Sequence, residues 1–289
     1  MSPPGRLVTD APLAHLRWEA TPCAHPVAGP VLLLLHGIGG GRQAWGGGDG
    51  DDDDHGHGHG DAGTGPAFAA AGFTVLAVDL PGYGQSAPVA PCTLAAIARA
   101  VQRLIDGLGM GPAVVLGHSM GGMVAQTLIA TAPQAVAALV LAGTSPAFGK
   151  PGGDWQQGFL QSRCAPLDAG LGMVGLAAQL VPTMVAPGTA AAVIEKAQAL
   201  MAGVPEATYR AALSALVVFD GRADLPRIGV PTLVITGQHD TTAPPEVARR
   251  MAERIPGARL HTVPGAGHLL PIEQPRAFTT AVLDFLQPR

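Results

Sequence analysis

Residues 113–131 read Ala-Val-Val-Leu-Gly-His-Ser-Met-Gly-Gly-Met-Val-Ala-Gln-Thr-Leu-Ile-Ala-Thr, and no other stretch limits the fold so tightly. The apolar run Ala113 to Leu116 predicts a buried strand, Gly117-His118-Ser119-Met120-Gly121 a tight turn, and the helically spaced Met123, Leu128 and Ile129 a helix. A serine at the tip of such a turn must adopt strained backbone angles, so the residues two before and two after it have to be small, and both are glycine. The turn is expected to lift Ser119 Oγ clear of the sheet and aim the N-terminus of the next helix at it. With 40 glycines in 289 residues, the five-residue pattern alone carries little; the flanking strand and helix give it weight.

The same rhythm recurs along the chain. Val31 to Leu35 is a continuous apolar run, as expected of a parallel strand covered on both faces, and it ends in His36-Gly37-Ile38-Gly39-Gly40-Gly41. Glycine-rich loops at the carboxyl ends of strands are where open α/β sheets place ligands. No Lys-Ser or Lys-Thr follows these glycines and the GxGxxG spacing is absent, so a phosphate cradle or dinucleotide site is not expected, nor any other cofactor. An oxyanion-binding turn fits better. Further strands are predicted at 72–79, 137–142, 231–236 and 259–263, and an early antiparallel one at 13–19. Helices are expected from Thr93, as cap, to Leu108 with Gly109 as stop, from Pro245 to Ile255, and from Pro275 to Leu286.

Between residues 147 and 225 the alternation lapses into helical patterns broken by Gly and Pro, which predicts a helical cap inserted after the sixth strand. Trp155, Phe159, Met173, Met184, Met201 and Tyr209 are scattered through it and divide between cap core and pocket wall, with Met173 and Met184 expected to tune specificity. Residues 169–194 carry no charge, yet Pro182, Pro187 and Gly188 interrupt them, so a pocket-lining or buried segment is favoured over a membrane span.

A serine hydroxyl needs an adjacent base to attack at neutral pH, and an imidazole needs a buried acceptor to hold its tautomer. Asp240 and His268 supply both, each just past the carboxyl end of a predicted strand, on the rim where Ser119 also sits. Asp79 is a rival acid but belongs to the wrong strand for the order Ser, Asp, His, and reads as structural. His36 and His118 are assigned to the oxyanion turn and the turn around the serine.

Net charge is −4, but Asp49, Asp51, Asp52, Asp53, Asp54 and Asp61 share one segment, and removing those six charges leaves +2. With the remainder nearly neutral and no basic stripe, nucleic acid is not an expected partner. Residues 46–65 contain no apolar group larger than alanine, so a mobile insertion is expected there. The functional alternative is weak divalent metal capture by residues 49–61, where His55, His57, His59 and the aspartates supply ligands without fixed geometry. Three widely spaced cysteines, Cys23, Cys92 and Cys164, make neither a disulfide framework nor a metal pattern, and with no apolar leader at the N-terminus a reducing, cytoplasmic setting is expected.

Taken together, these motifs resemble the α/β-hydrolase superfamily over about Val31 to Arg289, apart from the Asp/His insertion. The resemblance implies a mostly parallel eight-stranded sheet with helices on both faces, made of residues 1–146 and 226–289, and a cap at 147–225. It implies Ser119 as nucleophile, His268 as base and then acid, Asp240 as its orienter, and an oxyanion hole from the backbone N–H groups of Ile38 and Met120. Gly-His-Ser-Met-Gly-Gly-Met-Val-Ala-Gln, Val-Pro-Thr-Leu-Val-Ile-Thr-Gly-Gln-His-Asp and Gly-Ala-Gly-His-Leu are most similar to 3-oxoadipate enol-lactonases. The expected activity is hydrolysis of a small carboxylic ester or (enol-)lactone. The alternatives are C–C bond hydrolysis, cofactor-free haloperoxidase or perhydrolase chemistry, and a non-catalytic ligand receptor or metal-handling protein. Leu269 stands where C–C hydrolases commonly carry tryptophan, and haloalkane dehalogenases and epoxide hydrolases place a carboxylate at the position of Ser119.

Overall fold

The computed structural model describes residues 17–21, 29–46, 63–149 and 152–287. Its strands are β1 (Arg17–Thr21), β2 (Val31–Leu35), β3 (Thr74–Asp79), β4 (Ala113–His118), β5 (Val136–Ala142), β6 (Thr232–Gly237) and β7 (Arg259–Val263). Its helices are α1 (Thr64–Ala70), α2 (Leu94–Leu108), α3 (Met120–Thr131), α4 (Asp154–Asp168), α5 (Gly172–Leu180), α6 (Ala191–Ala202), α7 (Glu206–Val217), α8 (Pro245–Arg254), α9 (Leu270–Glu273) and α10 (Pro275–Leu286). Sheet order is β1-β3-β2-β4-β5-β6-β7, with β2 to β7 parallel and β1 antiparallel to β3. The resemblance implied eight strands with the insertion after the sixth; seven lie among the described residues, and the helical insertion follows the fifth of them. The early strand expected at 13–19 is found at Arg17–Thr21, where Arg17 pairs with Asp79.

Side-chain parity assigns each strand residue to one of two cores, because successive side chains point to opposite faces. Leu33, Leu35, Leu76, Val78, Val115, Leu139 and Leu141 pack on the face covered by α2, α3 and α8. Leu32, Leu34, Val75, Ala77, Val114, Leu116 and Val140 pack with α1 and α10 on the other. Both sets are buried, which is why these strands read as unbroken apolar runs. Each fully buried leucine contributes about 2 kcal/mol relative to exposure. The helix α2 begins where Thr93 Oγ1 accepts the Ala96 N–H at 3.1 Å, and ends at Gly109, whose φ of 62° suits a residue without Cβ.

One boundary moves. Thr64 and Gly65, assigned by composition to the low-complexity insertion, are buried in α1, where Thr64 Oγ1 donates to the Trp45 carbonyl at 3.1 Å. The His-rich stretch itself, with any metal it holds, falls on residues 47–62, outside the described residues. Helices α4 to α7 all lie between β5 and β6, on a neck where Phe148 N–H donates to the Phe219 carbonyl (3.0 Å) and Gly221 N–H to the Pro146 carbonyl (2.8 Å). The uncharged stretch 169–194 forms α5 and the approach to α6, with Met173, Leu176, Val181 and Ala186 buried. Among the described residues no helix is long and apolar enough to cross a membrane.

Candidate active site

The carboxyl ends of β2, β4, β6 and β7 converge on one rim, and the turn after β4 is the most constrained point on it. Ser119 has φ 52° and ψ −116°, and among the described residues it is the one non-glycine with positive φ. Its backbone is held from three sides: Ser119 N–H donates to the Ala142 carbonyl (2.9 Å), and its own carbonyl accepts Thr144 Oγ1 (2.7 Å) and Gly122 N–H (3.0 Å). A Cβ on Gly117 would stand 2.3 Å from the Gly121 oxygen, and one on Gly121 2.2 Å from the Leu35 oxygen. Both obstacles are backbone, so neither can be relieved by a rotamer change. Gly121→Ala should therefore lose about 3 kcal/mol of stability, measured as a shift in the urea midpoint; a shift below about 0.5 kcal/mol would mean that the strand–helix crossing is loose.

Three expected residues meet there. Ser119 Oγ lies 3.0 Å from His268 Nε2, and His268 Nδ1 lies 2.9 Å from Asp240 Oδ2. Asp240 Oδ1 accepts the N–H groups of Thr242 and Ala243, both at 2.8 Å. Its pKa responds to opposing effects: burial raises it, but the His268 charge and hydrogen bond and the two backbone donors outweigh this and hold it below the ordinary carboxylate value. An ionised Asp240 accepts from Nδ1–H, which leaves Nε2 free to accept the Ser119 proton.

The second ring of contacts fixes these groups. His118 is buried beneath His268 and bonds to the His268 carbonyl through Nε2 at 2.8 Å. Burial, reinforced by the neighbouring His268 charge, pushes its pKa down to about 3, so Nε2–H donates from a neutral ring. In the turn after β2, His36 Nε2 accepts Leu80 N–H (3.0 Å) while Nδ1–H donates to the Gly37 carbonyl (2.8 Å), and Tyr83 OH donates to the Ile38 carbonyl (3.1 Å). Asp79 is structural, as expected: it is buried, accepts Arg42 N–H at 2.8 Å and forms an ion pair with the Arg42 side chain.

Glu273, which the sequence reading missed, ties the insertion to the loop carrying His268. Its carboxylate accepts N–H groups from Gly267 (3.0 Å) and Leu269 (2.9 Å) on either side of the histidine, and Ala186 N–H (2.7 Å) and Thr189 Oγ1 (3.1 Å) from the insertion. Beside it, His268 N–H donates to the Met184 carbonyl at 2.7 Å. A Glu five residues after a candidate base was the available signal, but nothing local shows what it reaches. In Glu273→Gln an amide NH₂ would face backbone donors, so a loss of about 2 kcal/mol is expected, with kcat falling along with it; thermal unfolding and turnover of the same sample check this, and wild-type values for both would show that the clamp is idle.

Ile38 and Met120 line the cavity beside Ser119, and among the described residues neither backbone N–H is paired with a backbone acceptor. The cavity encloses about 100 Å³. Its floor includes Gly37, Ser119, Met123 and His268, and its roof comes from the insertion, through Phe159, Leu180, Met184, Met201, Tyr209 and Leu216. Met173, expected in the wall, is instead buried away from the cavity, whereas Met184 and Met201 line it. Trp155 is 59% exposed and packs its ring beside Phe148 and Phe159.

A strained serine between two obligate glycines, bonded through histidine to aspartate at the strand ends of a mostly parallel sheet, defines a hydrolase scaffold. The chain belongs to the α/β hydrolase family, whose model matches residues 32–281. It is 34% identical over 220 residues to the polyketide synthase ThaQ of Burkholderia thailandensis, a match spanning 73% of this chain and 10% of that protein. A thermophilic esterase from Thermogutta terrifontis, solved with malate bound, superposes with a TM-score of 0.76 at 29% identity over 94% of this chain and 93% of its own. The enol-lactonase from Burkholderia xenovorans LB400 gives a TM-score of 0.77 at 27% identity, covering 94% and 96% respectively.

Proposed function

We propose that the protein is a serine hydrolase that cleaves a carboxylic ester or (enol-)lactone through an acyl-enzyme on Ser119. The observation that carries this reading is the continuous Oγ···Nε2, Nδ1···Oδ2 chain at 3.0 and 2.9 Å, opening into a mostly apolar cavity. His268 takes the Ser119 proton as Oγ attacks the carbonyl carbon, and Asp240 stabilises the imidazolium so formed. The N–H groups of Ile38 and Met120 form the oxyanion hole, held in place by the His36 and Tyr83 bonds to that turn and by the start of α3. His268 then returns the proton to the departing alkoxide, and a water activated by the same ring hydrolyses the acyl-enzyme. Similarity to an esterase and an enol-lactonase supports an ester-type bond.

The insertion acts as a cap that selects substrates by shape. Met184→Ala or Met201→Ala opens the roof, so kcat/KM for 4-nitrophenyl octanoate relative to the acetate should rise by about threefold to tenfold; an unchanged ratio in both variants would remove the cap from specificity. The test of the function is a screen of the pure protein against short 4-nitrophenyl esters, aromatic lactones and the enol-lactone of 3-oxoadipate, with Ser119→Ala alongside. Turnover that persists in Ser119→Ala contradicts the reading.

A further inference from the structure

The cavity wall carries one feature that ester hydrolysis alone does not use. Among the described lining residues Arg163 is the one fixed charge, and none is acidic. In the insertion's other arginines the charge is met: Arg210 pairs with Glu206 and Asp168, and Arg222 with Asp220. Arg163 has no such partner among the described residues; its Nη1 donates to Ser162 Oγ at 2.7 Å, and its guanidinium carbon sits 3.6 Å above the centre of the Phe159 ring. The guanidinium carries five N–H donors in a planar fork, the geometry that meets carboxylates in a two-pronged fashion, and Ser162 is the one hydrogen-bond acceptor it meets among the described residues.

Tyr209 lines the same cavity within electrostatic reach of Arg163, and burial pushes its phenol up to about 12, so it stays a hydroxyl donor at neutral pH. A half-buried cation against apolar walls, without a counter-ion among the described residues, is costly to keep unless a ligand supplies the charge. We propose that Arg163, helped by Tyr209, binds a carboxylate on the substrate, so that the preferred substrates are monoanionic esters or lactones with the negative group held away from the scissile carbonyl. This rests on the hydrolase reading above and narrows its substrate class.

The experiment compares mono-4-nitrophenyl adipate and suberate with 4-nitrophenyl hexanoate and octanoate, which match them in chain length and lack the charge. In the wild type the ratio of kcat/KM, anionic over neutral, should exceed that of Arg163→Met by tenfold or more for at least one chain length, with Arg163→Lys in between because it keeps charge but loses the fork and the stack. The difference should appear mainly in KM and shrink with added salt. Ratios that agree within about twofold across wild type and Arg163→Met would overturn the proposal and leave Arg163 as packing for Phe159. Should neither ester class show Ser119-dependent turnover, the hydrolase reading fails separately, and the anion site is read by calorimetry of Ser119→Ala with monomethyl adipate and methyl hexanoate. Tighter binding of the anion that is lost in Ser119→Ala combined with Arg163→Met upholds the site; equal binding of the two ligands refutes it.

Discussion

Ser119→Ala and His268→Ala should each lower kcat by roughly 10⁴-fold or more, and the double variant should be little worse than either single one. The two side chains touch at 3.0 Å and share one proton transfer, so removing either disables the other. Without the imidazole the hydroxyl is too weak a nucleophile; without the hydroxyl the imidazole has nothing to deprotonate at that position. Asp240→Asn belongs to the same unit, because an amide at the Oδ2 position could donate to Nδ1 and hold the ring in the wrong tautomer. Steady-state kinetics on a single ester, with active-site titration to correct for folded protein, measures all four variants. Multiplicative losses in the double variant would show that the residues act independently, and would dismantle the unit.

Acid should unfold the protein more steeply than its modest charge suggests, with His118 as a main cause. In the folded state this ring is buried and neutral with a pKa of about 3, whereas an unfolded histidine takes up a proton near pH 6.5. Between about pH 6.5 and pH 3 the unfolded chain therefore binds a proton that the folded one does not. The stability due to neutral His118 is present above the unfolded value and is lost as pH falls, at up to about 1.4 kcal/mol per pH unit. His36 is depressed in the same direction by its burial, and Asp240 extends the effect below the ordinary carboxylate value, since its ionised form is the one stabilised by folding. His118→Gln can still donate to the His268 carbonyl but does not titrate. Its unfolding free energy, measured against urea from pH 7 to pH 4, should fall less steeply than that of the wild type. Parallel curves would mean that the buried ring is protonated in the folded protein.

Much of the scaffold was legible because its signals are local. Val31 to Leu35 and Ala113 to Leu116 are buried on both faces and so contain no polar residue to obscure them, while Thr93 and Gly109 bracket α2 with a side-chain cap and a left-handed stop. Ser119, Asp240 and His268 each follow a strand, and parallel strands bring their carboxyl ends to one rim whatever lies between them. What was missed depends on partners distant in sequence. The helix α1 starts at Thr64, inside a stretch read as featureless, because its hydroxyl reaches Trp45, nineteen residues earlier. Glu273 reaches Ala186, 87 residues away. Met173 and Met184 look alike in sequence, and only the packing of α5 against α4 and α6 turns one into the core and leaves the other on the cavity wall. β1 runs to Thr21, two residues past its expected end, because its weak alternation sets no register and its pairing with β3 does.

Covalent capture of the nucleophile tests the central claim most directly. The pure protein is treated with a fluorophosphonate, digested, and analysed by mass spectrometry, with His268→Ala and Ser119→Ala in parallel. One phosphonyl adduct is expected, on Ser119, forming rapidly in the wild type, at least about 10³-fold more slowly in His268→Ala, and absent in Ser119→Ala. An adduct on another residue, or labelling of Ser119 at the same rate without His268, would contradict an acyl-enzyme mechanism at this site.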